Sequence, residues 1–203
     1  MSELALRYEL KRAARATLSV AVPSGSTQRL RLPDTEAKAR LVGAVLATRC
    51  GADEELELFG RAVRGLGRAQ RAELHDRIGV VTQAMGLISN LNAWENISLP
   101  AAYHGTRPIA QVARTAHEAL QSLGADPRRF LARLPDEMDA FEKKLVAFLR
   151  LLAKDPPLAV IDGLGEGLNR EQSARAARFE AEYRARRPEG TLLFVELAEE
   201  GAA

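Results

Sequence analysis

The residues most able to do chemistry in this chain are few and scattered. Its three histidines, His75, His104 and His117, match no catalytic pattern, and each reads as an ordinary surface or half-buried residue. Cys50 is the single cysteine, so no intramolecular disulfide framework can form and a reducing compartment is the natural reading. It reads as a small, buried or half-buried apolar residue. The one dense basic cluster, Arg184, Arg186 and Arg187, ends a charged helical stretch, where cations complement the helix carboxyl end on a solvated face. Acids and amides stand where helices should begin: Asp34 or Thr35 before Glu36, Asp139 with Glu142 three residues on, and Asn169 with Gln172. A short acceptor followed at the third residue by Glu or Gln satisfies the orphan N–H groups of a helix start from within the chain.

The elements that must position these residues are marked by apolar periodicity. Strands are expected at residues 17–22, 28–32, 56–59, 78–82, 158–161 and 191–195. The last three are short, aliphatic and almost uninterrupted, as in strands of a parallel sheet covered on both faces. Helical patterns fall at 35–48, 109–123, 139–153 and 170–187. In the third of these, Met138, Phe141, Leu145, Phe148, Leu149 and Leu152 recur at three- and four-residue steps and define a core face. Residues 84–154 hold helices and loops without a convincing strand, so they read as a helical insertion with boundaries near Gln83 and Asp155.

Composition bounds the answer further. With 203 residues and 46% hydrophobic content the chain can bury a full core, as one domain or a domain with a subdomain. No run of 18 apolar residues occurs, which excludes a spanning helix and direct membrane insertion. Residues 1–9 carry charges at Glu3, Arg7 and Glu9 and look unlike an export signal. A net charge of +2, from 29 basic and 27 acidic residues interleaved, gives no case for nucleic acid.

Read without a gap, PSGSTQRLRLPDTEAKARL (residues 23–41) resembles the segment of ATP-binding-cassette (ABC) subunits that runs from a Pro-x-Gly turn through a strand into the Walker A loop and its helix. Lys38 falls where the phosphate-binding lysine belongs. GVVTQ, ending at Gln83, looks like the strand and glutamine of the Q-loop, and LNAWENISLPAAYHG is similar to the segment facing the membrane subunit. RLPDEMDAFEKKLVAFLRLLAKDPPLAVIDGLGEGLN aligns with signature helix, Walker B strand and D-loop, with Asp162 in the Walker B position. TLLFVEL resembles the strand leading to the switch histidine. The segments come in family order over most of the chain, and their closest flavour is the short cassettes of lipoprotein-release, phospholipid-trafficking and solvent-tolerance systems.

The resemblance implies an α/β fold of P-loop NTPase type, with a mostly parallel sheet, a helical insertion at about 84–154 and a small amino-terminal antiparallel β portion, all in one cassette domain. It also exposes losses. A phosphate loop needs glycines whose N–H groups curl round phosphate and a hydroxyl for magnesium, yet those positions hold Leu32, Ala37 and Ala39. Asp34 and Glu36 add carboxylates there; like charges about 4 Å apart repel by roughly 4 kcal/mol at an effective dielectric of 20. Lys38 then reads as a surface lysine on a helix. The signature becomes Met138, Asp139, Ala140, Phe141 and Glu142, with Phe141 expected to obstruct close approach; the catalytic glutamate is Gly163, the switch histidine Leu197, and the D-loop aspartate Asn169. Tyr8 stands near the adenine-stacking position but reads as a strand-face tyrosine.

These losses lead to an expected pseudo-ATPase: a non-hydrolytic structural or regulatory component, with no catalytic residue, metal or cofactor, and with Lys38, Gln83 and Asp162 as vestigial ATP-site positions. The retained region implies docking on an ABC permease, through Gln83, Trp94, Glu95, Asn96 and Tyr103, or pairing with a second ABC ATPase or a second copy. Its place is then cytoplasmic, peripheral on the inner membrane of a lipid or lipoprotein transport complex. The alternatives are a working ATP-hydrolysing subunit that uses ATP and magnesium, and a cytosolic scaffold.

Overall fold

A computed structural model describes residues 3–11, 17–82, 86–105 and 107–198. Alternation at the amino end builds β1 (Leu4–Leu10): Leu6, Tyr8 and Leu10 are buried while Arg7 points outward, the period-two pattern of a strand with one covered face. It pairs antiparallel with β2 (Leu18–Pro23) on one side and β4 (Glu54–Leu58) on the other, and β4 continues to the short β5 (Arg61–Ala62). This gives a four-stranded sheet in the order β2-β1-β4-β5. β1 was absent from the strands expected, although its alternation of Leu and Tyr with charged residues was the available signal.

A second four-stranded sheet has the order β3-β8-β7-β6, formed by β3 (Thr27–Leu32), β6 (Ile78–Val81), β7 (Leu158–Asp162) and β8 (Thr191–Leu197). β8 pairs in parallel with both β3 and β7, in registers that set Leu32 beside Leu197 and Asp162 beside Val195. The aliphatic run of β7 is buried from Leu158 to Ile161, as expected for a central strand covered on both faces. Helix α1 (Thr35–Ala47) buries Leu41, Val42 and Val45 in a core shared with Leu6, Tyr8, Val160 and Leu193. The short α2 (Arg68–Asp76) buries only Leu74, and so left no apolar stripe to read in the sequence.

Between β6 and β7 the described residues hold helices and no strand: α3 (Ala93–His104), α4 (Ile109–Ser122), α5 (Pro127–Leu131), a 3-10 turn (Pro135–Glu137) and α6 (Ala140–Lys154). The expected helix over 170–187 is two, α7 (Arg170–Ala176) and α8 (Arg178–Arg186), separated at Ala177, which keeps right-handed φ −58 and ψ −23. Phe148 stacks on Phe179 of α8 with ring centres 4.1 Å apart, and Phe141 tilts against the same ring. The chain divides into two compact units. One comprises Met1–Val80, Pro156–Gly163 and Glu189–Ala203, and the other Val81–Asp155 and Leu164–Pro188.

Candidate functional site

In the first unit the chemistry-bearing residues gather at the carboxyl ends of β3, β8 and β7, where parallel α/β sheets place ligands. Only Pro33 and Asp34 separate the last residue of β3, Leu32, from the first residue of α1, Thr35. Asp34 is extended, at φ −154 and ψ 161, and its carboxylate accepts the Ala37 N–H at 2.8 Å. The main-chain carbonyl of Asp34 accepts the Lys38 N–H at 3.2 Å. The first bond occupies a donor that an anion at the helix start would otherwise use, and the second is the opening bond of the regular helical ladder.

Lys38 lies one turn into α1 and is buried, not on the surface as the sequence suggested. Its Nζ stands 2.9 Å from Asp162 Oδ1 at the end of β7, and both side chains are nearly enclosed, at 11% and 14% exposure. The helical phase that buries Ala37, Lys38 and Leu41 turns the lysine inward, and a carboxylate at the next-but-one strand end receives it. Gly163 follows Asp162 at φ 60, with its N–H donating to the Val195 carbonyl at 2.9 Å. Leu197 closes β8, and the Ala198 N–H donates to Leu32 O at 2.8 Å. Tyr8 is buried, and its hydroxyl donates to Glu54 Oε1 at 2.9 Å; Arg40 Nε donates to the same oxygen.

In the second unit, all four described docking residues lie on α3 with different surroundings. Glu95 is exposed and closes a capping box with Asn92: the Glu95 N–H donates to Asn92 Oδ1 at 2.9 Å, and the Asn92 N–H to Glu95 Oε2 at 2.8 Å. Asn96 is 1% exposed, its Nδ2 donating to the carbonyls of Ile88, Leu91 and Asn92, so it faces the chain's own backbone. Tyr103 is 81% exposed and Leu99 40%. Trp94, the fourth, is half-buried on the same helix. Gln83 lies outside the described residues.

The start of α6 is self-capped as expected: Glu142 N–H donates to Asp139 Oδ1 at 2.8 Å, and Asp139 N–H to Glu142 Oε2 at 2.9 Å. Phe141 does not obstruct an approach. It is 1% exposed, packed on Phe179 with the Arg175 guanidinium 4.2 Å above its ring, because the second helical position after this cap turns into the core. Asn169 and Gln172 form the same reciprocal cap at α7.

No protein-family model matches the chain. Over 101 residues it is 34% identical to the osmoprotectant import ATP-binding protein OsmV of Salmonella typhimurium, covering 48% of this chain and 26% of that protein. It is 28% identical over 161 residues to the uncharacterized ABC transporter ATP-binding protein YbbA of Escherichia coli, covering 79% and 69%. The structure of the ATP-binding cassette MJ0796 in its dimeric post-hydrolysis state, bound to ADP and Pi, superposes with a TM-score of 0.74 at 19% identity, over 97% of this chain and 88% of that one. The chain resembles ABC transporter ATP-binding proteins in sequence and has the fold of ABC cassettes. It spans about a quarter of the osmoprotectant relative's length and about two thirds of the second relative's.

On an ABC cassette, phosphates and magnesium require a glycine-lined nest, a lysine aimed into it and a hydroxyl after that lysine. The residues present do not fit that group. Thr35, Glu36 and Ala37, which the alignment sets in the loop, form the first turn of α1, and residues 32–39 contain no left-handed backbone position. Ala39 has no hydroxyl and Lys38 is turned to Asp162. Among the described residues no cluster of histidine, cysteine and acid side chains could hold a metal ion. No helix among them is long and apolar enough to cross a membrane.

Proposed function

We propose that this ABC cassette is a transport-complex subunit that does not hydrolyse ATP and acts by docking on a permease or on a second cassette. The observation that carries the reading is the start of α1: a helical turn capped by Asp34 occupies the phosphate-loop sequence, and Lys38 is ion-paired with Asp162. Gly163 and Leu197 add no carboxylate or imidazole to orient water, and the signature helix caps itself with Asp139 and Glu142. Composite cassette sites take their phosphate loop from one subunit and their signature from the other, so both sites of any pair would be impaired.

Docking would use the outward part of α3, with Leu99 and Tyr103 exposed, Trp94 half-buried on the same helix and Glu95 at the helix start. Asn96 serves this face from beneath. The complex would sit at the inner membrane through its partner, and the motif resemblance favours a lipid or lipoprotein cargo. Calorimetric titration of the whole chain with Mg-ATP tests the reading. We expect no binding, and a dissociation constant tighter than about 1 mM, equivalent to about −4.1 kcal/mol, would overturn it. The retention of Lys38 and Asp162 is what a working ATPase would also show, and steady phosphate release in the same sample would establish that second reading.

A further inference from the structure

We propose that Arg150 is a positioning residue for α3: it takes the backbone carbonyl that Pro100 leaves without a helical donor, and so keeps the outward face of α3 in docking shape. This rests on the docking reading above. In a regular helix the N–H of residue 100 would bond the carbonyl of residue 96. Proline has no N–H, and its ring crowds that same carbonyl. Pro100 lies inside α3. The orphaned oxygen is met from α6, where Arg150 Nε donates to Asn96 O at 3.1 Å and Nη2 donates to Asn96 Oδ1 at 3.2 Å.

The tie reaches beyond one carbonyl. Asn96 Oδ1 also accepts the Ile88 N–H at 2.9 Å, and its Nδ2 gathers the carbonyls of Ile88, Leu91 and Asn92. One guanidinium therefore holds both the main chain and the side chain of the residue that joins residues 88–92 to the first turns of α3. Ala93, Ile97 and Ala101 bury the inner side of the helix, leaving Leu99 and Tyr103 outward. Burial pushes the Arg150 pKa down from its ordinary value. A partly buried cation is costly unless its donors are needed, and the Asn96 acceptors supply that need.

The test is a cycle of Arg150→Ala, Pro100→Ala and the double variant in the whole chain, read by hydrogen exchange of the α3 amides. Arg150→Ala should lower protection by about fivefold or more, and adding Pro100→Ala, which returns an N–H to the Asn96 carbonyl, should restore most of it, a coupling expected of residues that share one acceptor. Equal loss with proline or alanine at position 100 would overturn the proposal. If Arg150→Ala does not fold, Arg150→Gln with and without Pro100→Ala supplies the same comparison, and folding of the double variant alone counts in favour. Partner recovery is measured on the same proteins. Recovery that follows α3 protection supports the positioning role, while intact recovery by a variant with an unprotected α3 removes that role and leaves the docking reading standing. Should Tyr103→Ala leave recovery unchanged, the docking face fails and Arg150 loses its assigned function, even if the carbonyl exchange is observed.

Discussion

Lys38 Nζ and Asp162 Oδ1 meet at 2.9 Å at the carboxyl end of the parallel sheet, so a helix residue and a strand residue from distant parts of the sequence neutralise each other where an ABC cassette would hold nucleotide. An ion pair with this little solvent holds its partners mainly by making each one's loss costly: a single removal leaves a desolvated charge behind. Lys38→Met or Asp162→Asn should each lower unfolding free energy by about 2 to 3 kcal/mol, below the range for a fully dry pair because both side chains keep some exposure. The double variant Lys38→Met with Asp162→Leu should recover most of that loss in urea denaturation. Single variants as stable as the parent chain would show that the pair is incidental.

Asp34 makes a second, separable contribution. Replacing it with alanine removes the acceptor of the Ala37 N–H and should cost about 1 kcal/mol, whereas Asp34→Asn should cost much less. Thermal unfolding of the three proteins side by side measures this. A loss on Asp34→Ala accompanied by new Mg-ATP binding would mean that the carboxylate blocks a phosphate site and does not simply cap a helix.

For the docking face, Tyr103→Ala is the cleanest probe because the side chain is almost wholly exposed. Stability should stay within about 0.5 kcal/mol of the parent. Partner recovery from membranes should weaken about 30-fold if the ring is an anchor worth about 2 kcal/mol. Trp94→Ala should also reduce recovery, with circular dichroism to confirm folding, since Trp94 is half-buried. Lys38→Ala is no neutral control, given its ion pair, but in a docking protein its effect should track stability alone.

The Tyr8, Glu54 and Arg40 cluster predicts a pH profile. Burial by itself would raise the Glu54 pKa, but the Gly51 N–H, the Tyr8 hydroxyl and the Arg40 guanidinium outweigh it, and the carboxyl falls below its ordinary value of 4.5. A depressed folded-state pKa contributes stability above pH 4.5 that is lost as pH falls through the folded value. Tyr8 is shifted the opposite way, first by burial and then by its hydrogen bond to Glu54, so its contribution is present below its ordinary value of 10 and declines in more alkaline solution. Glu54→Gln should flatten the acid limb of the stability curve and Tyr8→Phe the alkaline limb. An acid limb unchanged by Glu54→Gln would place the acid sensitivity elsewhere.

What the sequence determined by itself was whatever closes within a few residues or repeats with a fixed period. The aliphatic runs at 158–161 and 191–195 became β7 and β8, the stripe from Phe141 to Leu152 became the buried face of α6, and the caps at Asp34, Asp139 and Asn169 formed with partners three residues away. The tertiary structure alone decided the roles of Lys38, Asn96 and Phe141. Whether a lysine is solvated or paired depends on which strand end lies beside its helix, and the strand order β3-β8-β7, parallel throughout, brings Asp162 there through long crossovers that carry no local signal. Asn96 looked like a contact for a partner, but Pro100 frees a carbonyl and α6 answers with Arg150, and each half of that arrangement lies on a different helix. Sequence periodicity assigns a face to each element; only packing determines what that face meets.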